Sequence, residues 1–392
     1  MSPVDLQLTL PGYRIVQWES NSLMRIYLEV LDTPRSCPCC AGVRLRSKGR
    51  YERRARHLEC MGHPSEVIVT CRRYRCWDCA VSFVQPLPGI LPYRHSTEPY
   101  RNQIFERHHD GVCATTLGER EGLGPATVSR IYAQFTERKA AERRSLDCPL
   151  VLGVDEHTLH RGQRFSTTFC DLKNHRVFDL SPGRSEAELA PYLRTLHGRE
   201  KVRVVCIDLS NSYRSMIKRW FPKALIVADR FHTIRLVGLH LLRLARQLVP
   251  QLGWNRSWLG LLRARNDRLD PQRRSRLAQL LADNPVLEPI YQMKERLWAL
   301  LRHKGLSKAS CRRHIRELFT LIGQLRDSGF EPAQTLAKTL TDWSEEIARM
   351  WRFSRNNGVT EGFHRKMKLI QRRAYGFRSF ENYRLRVIAQ CG

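Results

Sequence analysis

Between residues 150 and 230 the apolar positions fall in short runs separated by polar and turn residues. Leu150-Val-Leu-Gly-Val-Asp155, Phe165 to Asp171 and Val177 to Leu180 have the length and β-branched content of successive strands. The pattern then predicts a helix over Ser185 to Leu196, a strand over Val202-Arg-Val-Val-Cys-Ile-Asp208 and a helix over Tyr213 to Phe221. A strand from Ala224 to Asp229 and a long helix from about Phe231 to Leu248 follow. Strands that give way to strands alternating with helices indicate a mixed α/β sheet. From about Asn255 to Arg352 the strand signals stop. Leu, Arg and Gln recur there with a 3.6-residue period, which predicts an all-helical stretch. One more amphipathic helix begins after Asn356-Asn357-Gly358.

Upstream, residues 1 to about 90 hold seven cysteines and end in the Pro-rich stretch Gln85 to Pro92, and residues 96 to about 145 read as polar helices around a Gly122-Leu-Gly124 turn. Lys plus Arg number 67 against 38 Asp plus Glu, a formal charge of +29. That much positive charge opposes compaction and attracts polyanions, so double-stranded DNA or another nucleic acid is the expected partner. Hydrophobic residues at 42% argue against global disorder. The N-terminal MSPVDLQLTLPGY does not read as an export signal, and no apolar run approaches the roughly 20 residues that span a bilayer. The expectation is a bacterial cytoplasmic, nucleoid-associated protein with no membrane partner.

Of thirteen cysteines, four stand in two C-x-x-C pairs, Cys37-Pro-Cys-Cys40 and Cys76-Trp-Asp-Cys79. Two such turns can close one tetrahedral structural Zn2+ site through Cys37, Cys40, Cys76 and Cys79, on the hairpins of a zinc ribbon. Cys39 leaves the second ligand of the first turn ambiguous. Thr116 to Ile131 has the order of a helix-turn-helix: Gly118 as the small residue, Gly122 in the turn, and Leu117, Leu123, Val128 and Ile131 closing the junction. Thr127, Ser129 and Arg130 then face DNA. An ordinary helical hairpin fits the same pattern.

Three acids carry the candidate chemistry. Asp155 and Asp208 each end an apolar strand, and neighbouring strands can bring such residues together at the carboxyl edge of a sheet. Facing carboxylates repel unless a cation lies between them. Glu361 heads a helix on which Arg365, Lys368 and Arg372 share its face, while Phe363, Met367, Ile370 and Ala374 line the other. A carboxylate leading a row of cations suits a metal site beside a phosphate backbone. A solvated face with an intrahelical Glu361–Arg365 pair would also explain it.

The ordered motifs, zinc knuckles, helix-turn-helix, Gly-Val-Asp155-Glu, Val-Cys-Ile-Asp208-Leu-Ser-Asn-Ser-Tyr, Ala-Asp229-Arg-Phe-His232, Glu361-Gly-Phe-His-Arg-Lys-Met-Lys and Arg373-Ala-Tyr-Gly-Phe-Arg378, resemble the ISL3 family of insertion-sequence transposases. The resemblance covers nearly the whole chain; an extra Cys39 and His364 in place of the usual Asn are departures. It implies a multidomain protein: a zinc ribbon over 1–92, a helix-turn-helix domain over 93–147, and an RNase H-like α/β catalytic domain over 148–234 and 353–392. Residues 235–352 would form a helical insertion. It also implies a DDE triad of Asp155, Asp208 and Glu361 binding two Mg2+ (or Mn2+) ions. Two-metal cleavage and strand transfer at terminal inverted repeats would follow, on element ends and target DNA, by a homodimer or higher oligomer. Asp229 and His232 follow a strand and either approach this site or serve as a capping Asp and a packed His. An RNase H-like nuclease would explain the acids but not the separate N-terminal module, and a zinc/helix-turn-helix regulator would explain that module but not the acids.

Overall fold

The computed structural model describes residues 10–143, 146–160, 164–353 and 358–392, so the N-terminal nine residues and the expected Asn356-Asn357 turn lie outside the described residues. The chain divides into two compact units, one ending at Arg138 and the other beginning at Lys139.

The first unit opens with strands β1 (Tyr13–Ser20), β2 (Met24–Val30), β3 (Leu45–Cys60), β4 (His63–Cys76) and β5 (Ser82–Val84). They form one sheet in the order β1-β2-β4-β3, with β5 also paired to β4. Strict alternation on β2 buries Met24, Ile26, Leu28 and Val30 against Ala55, Val67 and Val69, as the two-residue period of a one-sided strand requires. Met61 and Gly62 both take positive φ between β3 and β4, the backbone of a tight type I′ hairpin. Helices α1 (Glu98–His109), α2 (Ala114–Glu121) and α3 (Pro125–Ala141) follow, packed around Ile104, Phe105, Leu117, Val128 and Ile131. Glu121 is buried and receives Tyr100 Oη at 2.9 Å and Arg107 Nη1 at 2.5 Å. Arg56 of β3 reaches the same carboxylate at 3.5 Å, so the sheet and the helices share a charged knot.

The second unit begins with β6 (Val151–His160), β7 (Arg164–Asp171), β8 (Arg176–Pro182), α4 (Glu186–Thr195), β9 (Val204–Ile207), α5 (Asn211–Trp220), β10 (Leu225–Ala228) and α6 (Arg230–Leu248). Helices α7 (Arg256–Arg263), α8 (Pro271–Asp283), α9 (Leu287–Leu301), α10 (Lys308–Arg326), α11 (Glu331–Asp342), α12 (Ser344–Arg352), α13 (Gly358–Arg373) and α14 (Phe380–Cys391) complete it. The sheet runs β10-β9-β6-β7-β8; β6, β9 and β10 are parallel, and β7 is antiparallel to both its neighbours. Ser185 and Glu188 start α4 with a reciprocal capping box, and Ser210 and Asp229 cap α5 and α6, which sets each helix at its expected place.

Both faces of the sheet are covered, and β9 is accordingly apolar at all four positions. Leu152, Val154, Phe169, Val205 and Ile207 pack under α4 to α6 and also under α9 to α12, whose Leu300, Trp343 and Trp351 lie in the same core. Helices α9 to α12 are thus part of the sheet's own packing, whereas α7 and α8 pack in a separate cluster with α6 and α9. Arg230 is buried between them and donates to the carbonyl oxygens of Leu301, His303 and Met350. On the opposite face Cys170, Leu172, Val177 and Cys206 meet Met367, Ile370, Tyr383 and Val387 of α13 and α14. One expectation needs correction: Asp155 does not end its strand. Pairing of β6 with β9 stops at Gly153, but β6 continues to His160 because its hairpin with β7 supplies hydrogen bonds beyond that point.

Candidate active site and zinc centre

The four knuckle thiols converge. Their sulfur atoms all lie within 4.8 Å of one another, with Cys37 and Cys79 at 3.6 Å and Cys40 and Cys76 at 3.6 Å. Cys39 is exposed and gives its backbone N–H to Cys37 Sγ, at 3.4 Å, so Cys40 and not Cys39 is the thiol of the first turn that joins the cluster. Amides of Cys40 and Cys39 pointing at Cys37 hold its thiol down to about 7, which favours the thiolate a metal requires. Donor set and spacing therefore fit a structural zinc ion.

In the helical part of the first unit, Gly122 ends α2 in the left-handed region (φ 60°, ψ 36°), and Leu117, Val128 and Ile131 are buried. A Cβ on Gly118 would stand 2.5 Å from the backbone oxygen of Leu123, which explains the small residue. Thr127 is half-buried and takes Arg130 Nη2 at 3.3 Å, while Ser129 and Arg130 are exposed at the start of α3.

In the second unit the parallel register pairs Gly153 with Cys206. Two residues further along each chain stand Asp155 and Asp208, level with one another past the end of the ladder. Asp155 is buried, and burial pushes its carboxyl up to about 7, with Asp208 and Asp229 adding negative charge and His232 opposing them. Asp208 is raised for the same first reason. Its Oδ1 is buried without a hydrogen-bond partner among the described residues. Clustered acids forced toward protonation, one with an orphaned oxygen, are a donor set that a divalent cation would complete.

Two imidazoles flank the pair. His232 Nε2 is 4.0 Å from Asp155 Oδ2 and 3.7 Å from Asp229 Oδ2, and Asp229 also caps α6 by accepting the His232 N–H at 3.2 Å. Asp229 thus caps α6 and stands close enough to Asp155 for its charge to be felt there. His364 of α13 approaches Asp155 Oδ2 at 3.7 Å and Thr168 Oγ1 at 3.1 Å. Burial, then the positive neighbours His157, Lys368 and His232, pushes its imidazole down to about 3. His364 and the neighbouring His157, their rings tilted with centroids 4.9 Å apart, were not foreseen as site residues; the signals for His364 were its position one turn beyond Glu361 and its departure from the usual Asn.

Glu361 lies in the first turn of α13, on the helix that His364 docks beside Asp155. Its carboxylate is turned to Arg365, at 2.9 Å. Among the described residues the four cysteines are the one group of three or more metal-ligating side chains close enough to share an ion, so Glu361 is not brought against the aspartates. Arg365, Lys368 and Arg372 are exposed on one side of α13, whereas Met367 and Ile370 are buried on the other.

Four converging thiols, a helix pair joined at a left-handed glycine and an α/β sheet with level aspartates beyond its parallel ladder are parts that a modular DNA-acting enzyme requires. Residues 152–387 match the ISL3 DDE family, described as transposase, and residues 33–79 match the zinc-finger of the transposases IS204/IS1001/IS1096/IS1165. The chain belongs to the ISL3 transposase family. It is similar to the transposase for insertion sequence element IS1001 of Bordetella parapertussis, 26% identical over 405 aligned positions that cover 96% of this chain and 94% of the relative. DNA is accordingly its substrate. No helix among the described residues is long and apolar enough to cross a membrane.

Proposed function

We propose that Asp155, Asp208 and Glu361 form the catalytic triad of this transposase, which binds the terminal inverted repeats of its element and carries out cleavage and strand transfer. The observation that carries the reading is the register that sets Asp155 level with Asp208, beside the helix bearing Glu361. Sheet order β8-β7-β6-β9-β10 with β7 alone antiparallel supports an RNase H-like catalytic domain, interrupted between the second and third acids by the helices of 235–352. Two Mg2+ (or Mn2+) ions, when bound, supply charge neutralisation and an activated oxygen nucleophile for phosphoryl transfer. Asp155 and Asp208 hold the site at the sheet edge, and His232 and Asp229 border it. Arg365, Lys368 and Arg372 contact phosphates of the bound strand. Engagement of Arg365 by a phosphate exchanges its partner and frees Glu361 to turn toward the aspartates. Thr127, Ser129 and Arg130 read the repeats from the first unit, and a homodimer or higher oligomer pairs the two element ends.

The test is strand transfer with purified protein and element-end DNA. Asp155→Asn, Asp208→Asn and Glu361→Gln should each abolish cleavage and joining while end binding stays near wild type, because each removes a metal ligand and no phosphate contact. Normal strand transfer by the Asp208 variant would refute the assignment.

A further inference from the structure

Beside the zinc knuckles, β3 and β4 run on past the hydrophobic core as a ribbon of cations. Arg46 faces Arg75 directly across the ladder, and Arg50 faces Arg72. Like charges opposite one another on antiparallel strands destabilise the pairing. Yet Arg46, Lys48, Arg50, Arg73 and Arg75 are exposed, and none of them, nor Arg72, has an ion-pair partner among the described residues. Glu29 and Asp78 form their direct pairs with Arg14 and Arg44, and Arg72 and Arg50 act on Glu29 only at longer range.

The register distributes these charges. Between Ser47 and Arg50 it shifts at Lys48-Gly49, where Gly49 takes φ 121° with open space around it. Without the bulge Arg46 and Arg50, four residues apart, would share a face; with it, Arg46, Arg73 and Arg75 stand on one face and Arg50 and Arg72 on the other. Aromatic rings hold two of the guanidinium groups outward, Trp77 under Arg46 at 5.9 Å and Tyr51 under Arg73 at 5.0 Å. Trp77 is itself 59% exposed.

Guarding a free sheet edge against aggregation calls for charge on the edge strand. That accounts for β3 but not for Arg72, Arg73 and Arg75, which lie on β4 between β3 on one side and β5 on the other. An arginine ladder that costs stability, faces both ways and lies on an interior strand fits a polyanion with two walls. Duplex DNA supplies such walls, two rows of phosphates on either side of a major groove about 12 Å wide.

We propose that the β3–β4 ribbon is a second DNA-contact element of the first unit, gripping duplex phosphates through Arg46, Arg50, Arg72, Arg73 and Arg75 independently of the helix-turn-helix. This rests on the reading that the first unit binds element ends, and it assigns the ribbon grip and not sequence reading. The probes are a duplex from the DNA flanking this coding region and a scrambled duplex of the same length, titrated with full-length protein by fluorescence anisotropy across a salt series. Arg46→Gln/Arg75→Gln should keep zinc content and a melting temperature at or above wild type, because the like-charge pair is gone. Affinity for both duplexes should fall by a similar factor, tenfold or more at about 0.1 M salt, and the salt slope should flatten by roughly two units, near 0.9 per contact. Arg46→Lys/Arg75→Lys should restore most of the binding. Unchanged affinity and slope in the Gln variant, or a loss that the Lys variant does not rescue, would overturn the proposal. Failure of the wild type to prefer the flanking duplex would instead count against end recognition by the first unit, and the triad is judged separately by cleavage in the Asp208 variant.

Discussion

His364 reaches both Asp155 and Thr168 from the second turn of α13, and so fixes where the helix that carries Glu361 lies against the sheet. Its role is positioning. His364→Ala should leave DNA affinity intact but reduce strand transfer roughly ten- to hundredfold, the range for lost outer-shell support of a metal ligand. His364→Asn, which can still hydrogen-bond Thr168, should recover part of the rate, a recovery that a purely space-filling role would not give; equal rates for the Ala variant and wild type would dismiss the idea. At this scale the sequence was legible where chemistry is local. An acid at the end of an apolar run is visible, and Asp155 and Asp208 were found that way. That β6 continues past Asp155 was not visible, because the hairpin to β7 sustains it. Nor was His364, since a histidine on an amphipathic helix reads as packing until its partner across 196 residues is known. For Glu361 the structure shows the intrahelical pair with Arg365, with 37% of the Glu361 side chain and 80% of the Arg365 side chain exposed; its metal-binding role belongs to the proposal. A pair so solvated is worth a few tenths of a kcal/mol, which makes it easy to exchange for a phosphate.

Among elements, the α2–turn–α3 pair shows why small residues were readable signals. Gly122 stands where a left-handed residue closes α2, and Gly118 leaves room for the Leu123 carbonyl. Gly118→Ala should destabilise the first unit by about 1–3 kcal/mol, because the obstruction at 2.5 Å is backbone and cannot rotate away. A thermal melt of the variant should fall by several degrees; an unchanged melt would show that the turn can open without cost. The bulge in β3 escaped the sequence because Lys48-Gly49 also reads as an ordinary turn. For α9 to α12 the 3.6-residue period revealed the helices but not their partners. Trp343 and Trp351 are wholly buried in the core they share with the sheet, and periodicity says which face is apolar without saying what it meets.

For the whole molecule, the order of parts along the chain has a consequence for gene dosage. The first unit, with its zinc knuckles, helix pair and arginine ribbon, precedes everything that α13 and α14 complete. Those last two helices bring Glu361 and cover one face of the β6-to-β10 sheet with Met367, Ile370, Tyr383 and Val387. Arg384 secures α14 to β8 through Asp179, at 2.6 and 2.8 Å. A polypeptide released before Gly358 leaves that face bare and lacks Glu361, Arg365, Lys368 and Arg372, yet still contains Thr127, Ser129, Arg130 and the β3–β4 arginines. On the proposed assignment such a polypeptide should occupy element ends without cutting them, and so compete with the intact chain. Co-expressing residues 1–143 with the intact chain should depress transposition in proportion to the ratio of the two, and Thr127→Ala/Arg130→Gln in the fragment should relieve the inhibition. Transposition frequency unmoved by a large excess of soluble fragment would show that end occupancy is not limiting. On the proposed assignment, the position of Glu361 on α13 separates holding DNA from cutting it, since a chain that stops short of α13 keeps the first unit and loses the third acid.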